Sequence, residues 1–153
     1  MEKLFSLIYY LIVPLVAGFV GSVFTTPAVS TWYSGLVKPW FSPPSWLFAP
    51  IWSILYIFMG TAAFLVHESK GKKGSAFWFY YLQLAANTLW SIIFFGMRNP
   101  LLAFLEIIIL GILIYVTAYR FYKIKKLAGY LFIPYFLWVV FASILNLSIV
   151  LLN

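Results

Sequence analysis

SWLFAPIWSILYIFMGTAAFLV, residues 45–66, contains no Asp, Glu, Lys or Arg. A helix needs about 20 predominantly apolar residues to cross a bilayer, and this stretch supplies them. Working outward, Leu4–Phe24, Ser75–Met97 and Leu127–Asn153 are equally free of charge, and Leu101–Tyr119 holds one, Glu106. Of the 153 residues, 65% are hydrophobic, 22% aromatic and 8% charged. Soluble domains carry charge on roughly a quarter of their residues. Too little polar surface remains to cover a globule in water, so lipid is the solvent for most of this chain. The expected fold is an all-α integral membrane protein. One domain, residues 1–153, forms a bundle of five transmembrane helices with a structured first extramembrane loop. The first apolar run is too long for a cleavable signal peptide, and no small-residue cleavage site follows it closely.

The net charge is +7, and its distribution matters more than its size. Five spans place Lys3, Lys70, Lys72, Lys73, Arg120, Lys123, Lys125 and Lys126 on one side, against Lys38 and Arg98 on the other. The positive-inside rule then predicts a cytoplasmic N-terminus and an outer C-terminus. Short basic loops of this kind read as a topology signal, not as a nucleic-acid surface. With no cysteine there is no disulfide, thiolate nucleophile or sulfur metal site. The one histidine, His67, falls at the membrane interface rather than inside the bundle as a haem ligand would. Asp is absent, and Glu106 has no second carboxylate on its side of the membrane, since Glu2 and Glu68 lie at the other end. Paired-carboxylate catalysis and metal binding are not expected, and no cofactor is required.

The connection between the first two spans is unusual. Residues 32–52, WYSGLVKPWFSPPSWLFAPIW, hold four of the seven tryptophans, four of the eight prolines and one charge, Lys38. Loops at a membrane surface normally need polar residues for their backbone groups. One made of aromatic plates and prolines reads as a lid over an apolar pocket. The first helix is expected to end near Phe24, with a short helix over Ser30–Gly35. Ser42-Pro43-Pro44 opens the second helix as a capping hydroxyl followed by proline. Pro50 then lies beyond its first turn and bends it. Ala17/Gly21 and Gly18/Ser22 are spaced four apart, the pattern that lets membrane helices approach closely, here within the monomer.

Polar groups inside a bilayer are costly unless they face the bundle interior. Gln83, Asn87, Trp90 and Phe94 share one face of the third helix. Trp138, Ala142 and Leu145 share a face of the fifth, with Asn146 at its edge. With Trp52, Tyr56 and Met59 from the second helix, they outline an aromatic cavity open toward the outer half of the membrane. Glu106 is read as its one carboxyl, or as a partner for Arg98. Lys38 and Arg98 are placed to meet carboxylates at a ligand's edge. Such a slot fits a flat amphipathic molecule, a porphyrin or a sterol.

Three blocks carry a resemblance. The first is Trp32-Tyr33, Leu36, Lys38-Pro39, Pro43-Pro44, Trp46, Ala49-Pro50-Ile51-Trp52, Leu55-Tyr56 and Met59-Gly60. The second is Gln83-Leu84-Ala85, Asn87, Trp90, Phe94-Phe95-Gly96 and Arg98. The third is Pro134-Tyr135, Trp138, Phe141-Ala142 and Leu145-Asn146. In this order and spacing they resemble the translocator protein family, also called TspO/MBR or peripheral benzodiazepine receptor-like. The resemblance implies a five-helix bundle, often a homodimer, that binds tetrapyrroles, sterols and other planar hydrophobic small molecules beneath its first loop. Carried onto matching positions, the ligand site is Trp52, Asn87, Trp90, Phe94, Trp138, Ala142 and Leu145, with Ala49 and Ile51 at its rim. The implied function is a membrane receptor or sensor for porphyrins. Alternatives are light-dependent porphyrin degradation, with Trp52 and Trp138 as candidate catalytic residues, and transport of porphyrin or sterol. Animal members carry a sterol-recognition stretch with a tyrosine and an arginine after the Leu-Asn of the fifth helix. Here Leu147–Asn153 has neither, so cholesterol handling of that kind is not expected and a prokaryotic plasma membrane is. Leu102 stands where many relatives place a tryptophan.

Overall fold

The structure is a computed structural model describing residues 1–153. It is all-helical: α1 Glu2–Val29, α2 Phe48–Glu68, α3 Ala76–Ser91, α4 Pro100–Ile124, α5 Lys126–Tyr130 and α6 Ile133–Leu152. α3 continues as a five-residue π turn, Ile92–Gly96, and α5 with α6 forms one apolar span broken by a turn. Four helices are long and apolar enough to cross a membrane: Glu2–Val29, Ser45–Glu68, Pro100–Ile124 and Lys126–Leu152. The chain is therefore a membrane protein of five long helices. The third, at 16 residues plus the π turn, reaches a comparable length only with that extension.

α1 packs on α2 and α3, α3 on α4, and α4 on α5 and α6. α2 approaches the last span chiefly at α5. The α1–α2 pair is close at the lysine-rich end. There a methyl group built on Gly60 would meet the Tyr10 carbonyl oxygen at 2.5 Å and Leu11 Cα at 2.9 Å. Gly18 lies under the Tyr56 ring with no room for a side chain, and Gly21 faces Ser91. The small residues of α1 thus pack inside the monomer, and the two helices diverge toward the opposite, lid end. The core occupies the lysine-rich half, around Met59, Tyr80, Phe121, Phe132 and Tyr135, each fully buried.

Three expectations about element ends are corrected. α1 runs past Phe24 to Val29 with Pro27 in its last turn. Its end is satisfied by side chains, with Thr31 Oγ1 donating to the Pro27 carbonyl at 2.7 Å. Only a 3₁₀ turn, Tyr33–Gly35, follows. α2 begins at Phe48 after the 3₁₀ turn Ser45–Leu47, later than Ser42-Pro43-Pro44 indicates. Pro50 therefore sits in the first turn, where its missing N–H has no helical partner to lose, so it opens the helix instead of bending it. Pro134 occupies the equivalent place at the start of α6. Between α3 and α4, Asn99 Oδ1 accepts the Leu102 N–H at 3.0 Å and Pro100 takes the first helical position.

Candidate functional site

Where α1 and α2 part, a cleft of about 460 Å³ opens between α1, α2, α3 and α6, within the range of small-molecule sites. Each wall is one helical stripe. α2 gives Ala49, Trp52, Ser53 and Tyr56; α3 gives Asn87, Trp90, Ser91, Phe94 and Phe95. α6 gives Trp138, Ala142, Leu145, Asn146 and Ile149. Eight of the nine expected site residues, Ala49, Trp52, Asn87, Trp90, Phe94, Trp138, Ala142 and Leu145, lie together here. Ile51 does not. One residue is about 100° of helix, so Ile51 leaves the Trp52 stripe and packs on the core.

The walls are aromatic and braced. Trp52 stacks on Tyr56 with ring centroids 5.6 Å apart and meets Tyr135 edge-on at 6.0 Å. Trp90 stacks on Phe94 at 5.0 Å, and Trp138 meets Phe48 edge-on at 6.2 Å. The π turn makes room for this: the Met97 N–H reaches back to the Ile92 carbonyl at 2.8 Å, and Ile93, Phe94 and Phe95 are all buried in succession. π turns are frequent at functional sites. Trp90 Nε1 donates to Asn146 Oδ1 at 3.1 Å, and Asn146 Nδ2 donates to the Pro100 carbonyl at 2.8 Å. The Trp138 indole N–H is buried without a partner.

The lid is seated by different residues from those the tryptophan count favours. Trp40 is 95% exposed, and Trp46 also points outward, as interfacial tryptophans do. Beneath them Tyr33 packs on Phe48, Phe94 and Phe95, Trp32 on Phe94, and Phe41 on Phe141. Burial pushes the Tyr33 phenol above its ordinary range. Lys38 is not free to meet a ligand. Its ammonium donates to the Tyr33 and Leu36 carbonyls at 2.9 and 3.1 Å and lies 4.8 Å over the Tyr33 ring. Asn153 clamps the lid to α6: its Oδ1 accepts the Val37 N–H at 3.0 Å and its Nδ2 donates to the Val37 carbonyl at 2.9 Å.

Three further expectations change. Met59 is fully buried in the core and does not reach the cleft. Glu106 is buried on α4 facing a separate groove with Ala17, Ala85 and Leu89, so the cleft has no carboxyl. Neither oxygen of Glu106 has a partner, and the one ion pair in the structure is Lys3–Glu68 at 3.7 Å, so Arg98 does not pair with it. The α1 wall went unpredicted. Leu15, Gly18, Ser22, Thr25 and Val29 line the cleft at helical spacing; the sequence reading gives only Gly18/Ser22 of these, as a helix-packing pair, and ends the helix before Thr25 and Val29. Phe19, 70% exposed, and the exposed Thr26, Ala49 and Ser53 also belong to the lining. The cleft therefore opens sideways between the diverging ends of α1 and α2.

Residues 10–152 match the model of the TspO/MBR family. The chain is 40% identical to the tryptophan-rich protein TspO of Archaeoglobus fulgidus, across 99% of each chain. It is 44% identical to the TspO of Chlorobaculum tepidum, covering 91% of this chain and 90% of that one. Identity to a tryptophan-rich sensory protein of Cereibacter sphaeroides is 39%, over 80% of this chain and 77% of the other. With a matching family model over nearly its whole length, the chain belongs to the TspO/MBR family.

Proposed function

We propose that this protein is a membrane receptor or sensor for flat hydrophobic ligands, porphyrins first among them, held in the cleft beneath the lid. The observation that carries this reading is the cleft itself, walled by Trp52, Trp90 and Trp138 and holding no charged side chain. Aromatic contacts contribute about 0.5–1.5 kcal/mol each beyond the area they bury. A planar ring lying against these indoles gains that from more than one wall at once. The sensory name of the Cereibacter sphaeroides relative agrees with it. The ligand needs no cofactor beside it. The proposed setting is a prokaryotic plasma membrane, and the asymmetry of the basic residues supports a cytoplasmic N-terminus. A homodimer is part of this proposal only through family likeness. The test is titration of the detergent-purified protein with protoporphyrin, read by tryptophan quenching. Trp138→Ala is expected to weaken affinity about tenfold, the equivalent of roughly 1.4 kcal/mol, and unchanged affinity would remove the stacking argument.

A second reading, light-dependent breakdown of the bound pigment with dioxygen as the oxidant, draws on one specific contact. Trp52 stacks on Tyr56 and touches Tyr135, phenols able to return an electron to an oxidised indole. Illuminating the protein with protoporphyrin is then expected to yield a new absorbing product that Trp52→Phe abolishes. Bleaching no different from free pigment rejects this reading and leaves binding intact.

A further inference from the structure

From Leu36 to Pro44 the lid is neither helix nor strand, and its polar groups are tied mostly to one another. The Leu36 N–H reaches the Tyr33 carbonyl at 3.3 Å, and the Ser42 N–H reaches the Pro39 carbonyl at 3.0 Å. The Lys38 ammonium gathers the Tyr33 and Leu36 carbonyls of the same stretch. Pro39, Pro43 and Pro44 fix their own φ and carry no N–H. The segment is therefore stiff in itself. Its rings grip the bundle only toward its two ends, Trp32 and Tyr33 on Phe94 and Phe41 on Phe141. Between those grips Val37 and Trp40 point outward.

The middle of the lid is held by one side chain. Only Asn153 hydrogen-bonds residues 36–43 to a membrane-spanning helix, and it bonds both backbone groups of Val37 at once. A carboxamide has two donors and an acceptor, and the same Nδ2 also donates to the Ile149 carbonyl at 2.8 Å. Ile149 lines the cleft wall, and Tyr33 lines the cleft from the lid. We infer that Asn153 is a positioning residue for the ligand site, a latch that keeps the lid drawn onto α6 with Tyr33 seated over the cleft. Asn153 is exposed, so water competes for both bonds to Val37 and the latch releases reversibly. With it released, the segment lifts between its end grips and uncovers what lies beneath. This rests on the reading of the cleft as a ligand site and adds what holds its roof. By linkage, a guest that binds better under the closed roof also slows its opening.

The chain has no cysteine, so a single thiol reports the opening. The Ser42 hydroxyl oxygen is buried without a partner, and Ser42→Cys places a thiol there. Val66→Cys places one in the fully buried core instead. Each is reacted in detergent with a water-soluble methanethiosulfonate, with and without Asn153→Ala. The Ser42→Cys reaction is expected to run about three- to tenfold faster once Asn153 is replaced, the worth of the lost hydrogen bonds. The Val66→Cys reaction is expected to be unchanged, since only the lid opens. Saturating protoporphyrin is expected to slow the Ser42→Cys reaction about fivefold or more in the parent. Equal Ser42→Cys rates with and without Asn153→Ala overturn the latch. A matching acceleration at Val66→Cys overturns it too, because the whole fold has then loosened. Protoporphyrin that binds, as read by tryptophan quenching, yet leaves the Ser42→Cys rate unaltered shows that the lid is no part of the site. Protoporphyrin that does not bind removes the cleft reading instead, and the two thiol rates still decide whether Asn153 holds the lid.

Discussion

Arg98 stands just beyond the third long helix with a φ of 52°, the one residue other than glycine in the left-handed region. That conformation costs an L-residue about 1–2 kcal/mol, and helices commonly end with glycine there. The sequence offers a reason to keep an arginine, a ligand carboxylate or Glu106, yet no ion pair forms at this position. Arg98→Gly is accordingly expected to stabilise the protein by about 0.5–1 kcal/mol, after the larger entropy of glycine in the unfolded chain is counted. Thermal unfolding in detergent, compared with the parent at equal protein and detergent concentration, measures it. A loss of stability in that variant shows that the arginine makes a contact absent from this structure.

Among the elements, the wedge between α1 and α2 is what gives the molecule an interior. Gly60 at the closed end leaves the two backbones in van der Waals contact. A branched side chain there must push against main-chain atoms, which cannot rotate away. Gly60→Val is expected to destabilise by about 1–3 kcal/mol, the usual range for overpacking, and to lower ligand affinity by moving both walls. A variant that unfolds at the parent temperature with unaltered affinity contradicts this account of the wedge. The lid, the α2, α3 and α6 stripes and most of the site were legible because tryptophans and carboxamides recur at helical spacing. Other features were not legible, for a physical reason. In lipid the outward and inward faces of a helix are both apolar, so periodicity does not fix its rotation. Glu106 is assigned to the wrong groove on that account, Ser22 is read only as a packing partner of Gly18, and Thr25 is left beyond a helix that in fact continues to Val29. The π turn depends on one carbonyl, Ile92, meeting an N–H five residues on, a choice made by tertiary contact. Ile51 was carried over by resemblance, and helix phase alone removes it.

At the scale of the whole molecule, the basic residues gather at the end opposite the lid, and the absence of cysteine makes their sidedness directly measurable. Single substitutions Ser34→Cys and Lys72→Cys introduce one reporter thiol each. A membrane-impermeant maleimide applied to intact cells is expected to label the first, and to reach the second only after permeabilisation. The opposite pattern inverts the assigned orientation. The sideways opening between the diverging ends of α1 and α2, with Phe19, Thr26 and Ser53 on its margins, fixes how affinity here is to be expressed. A guest entering through that gap arrives already dissolved in hydrocarbon, so its governing concentration is its mole fraction in the bilayer or micelle. Dissociation constants quoted against total aqueous volume then drift with the amount of amphiphile in the cuvette, and two guests of unequal oiliness are ranked fairly only after partitioning is divided out.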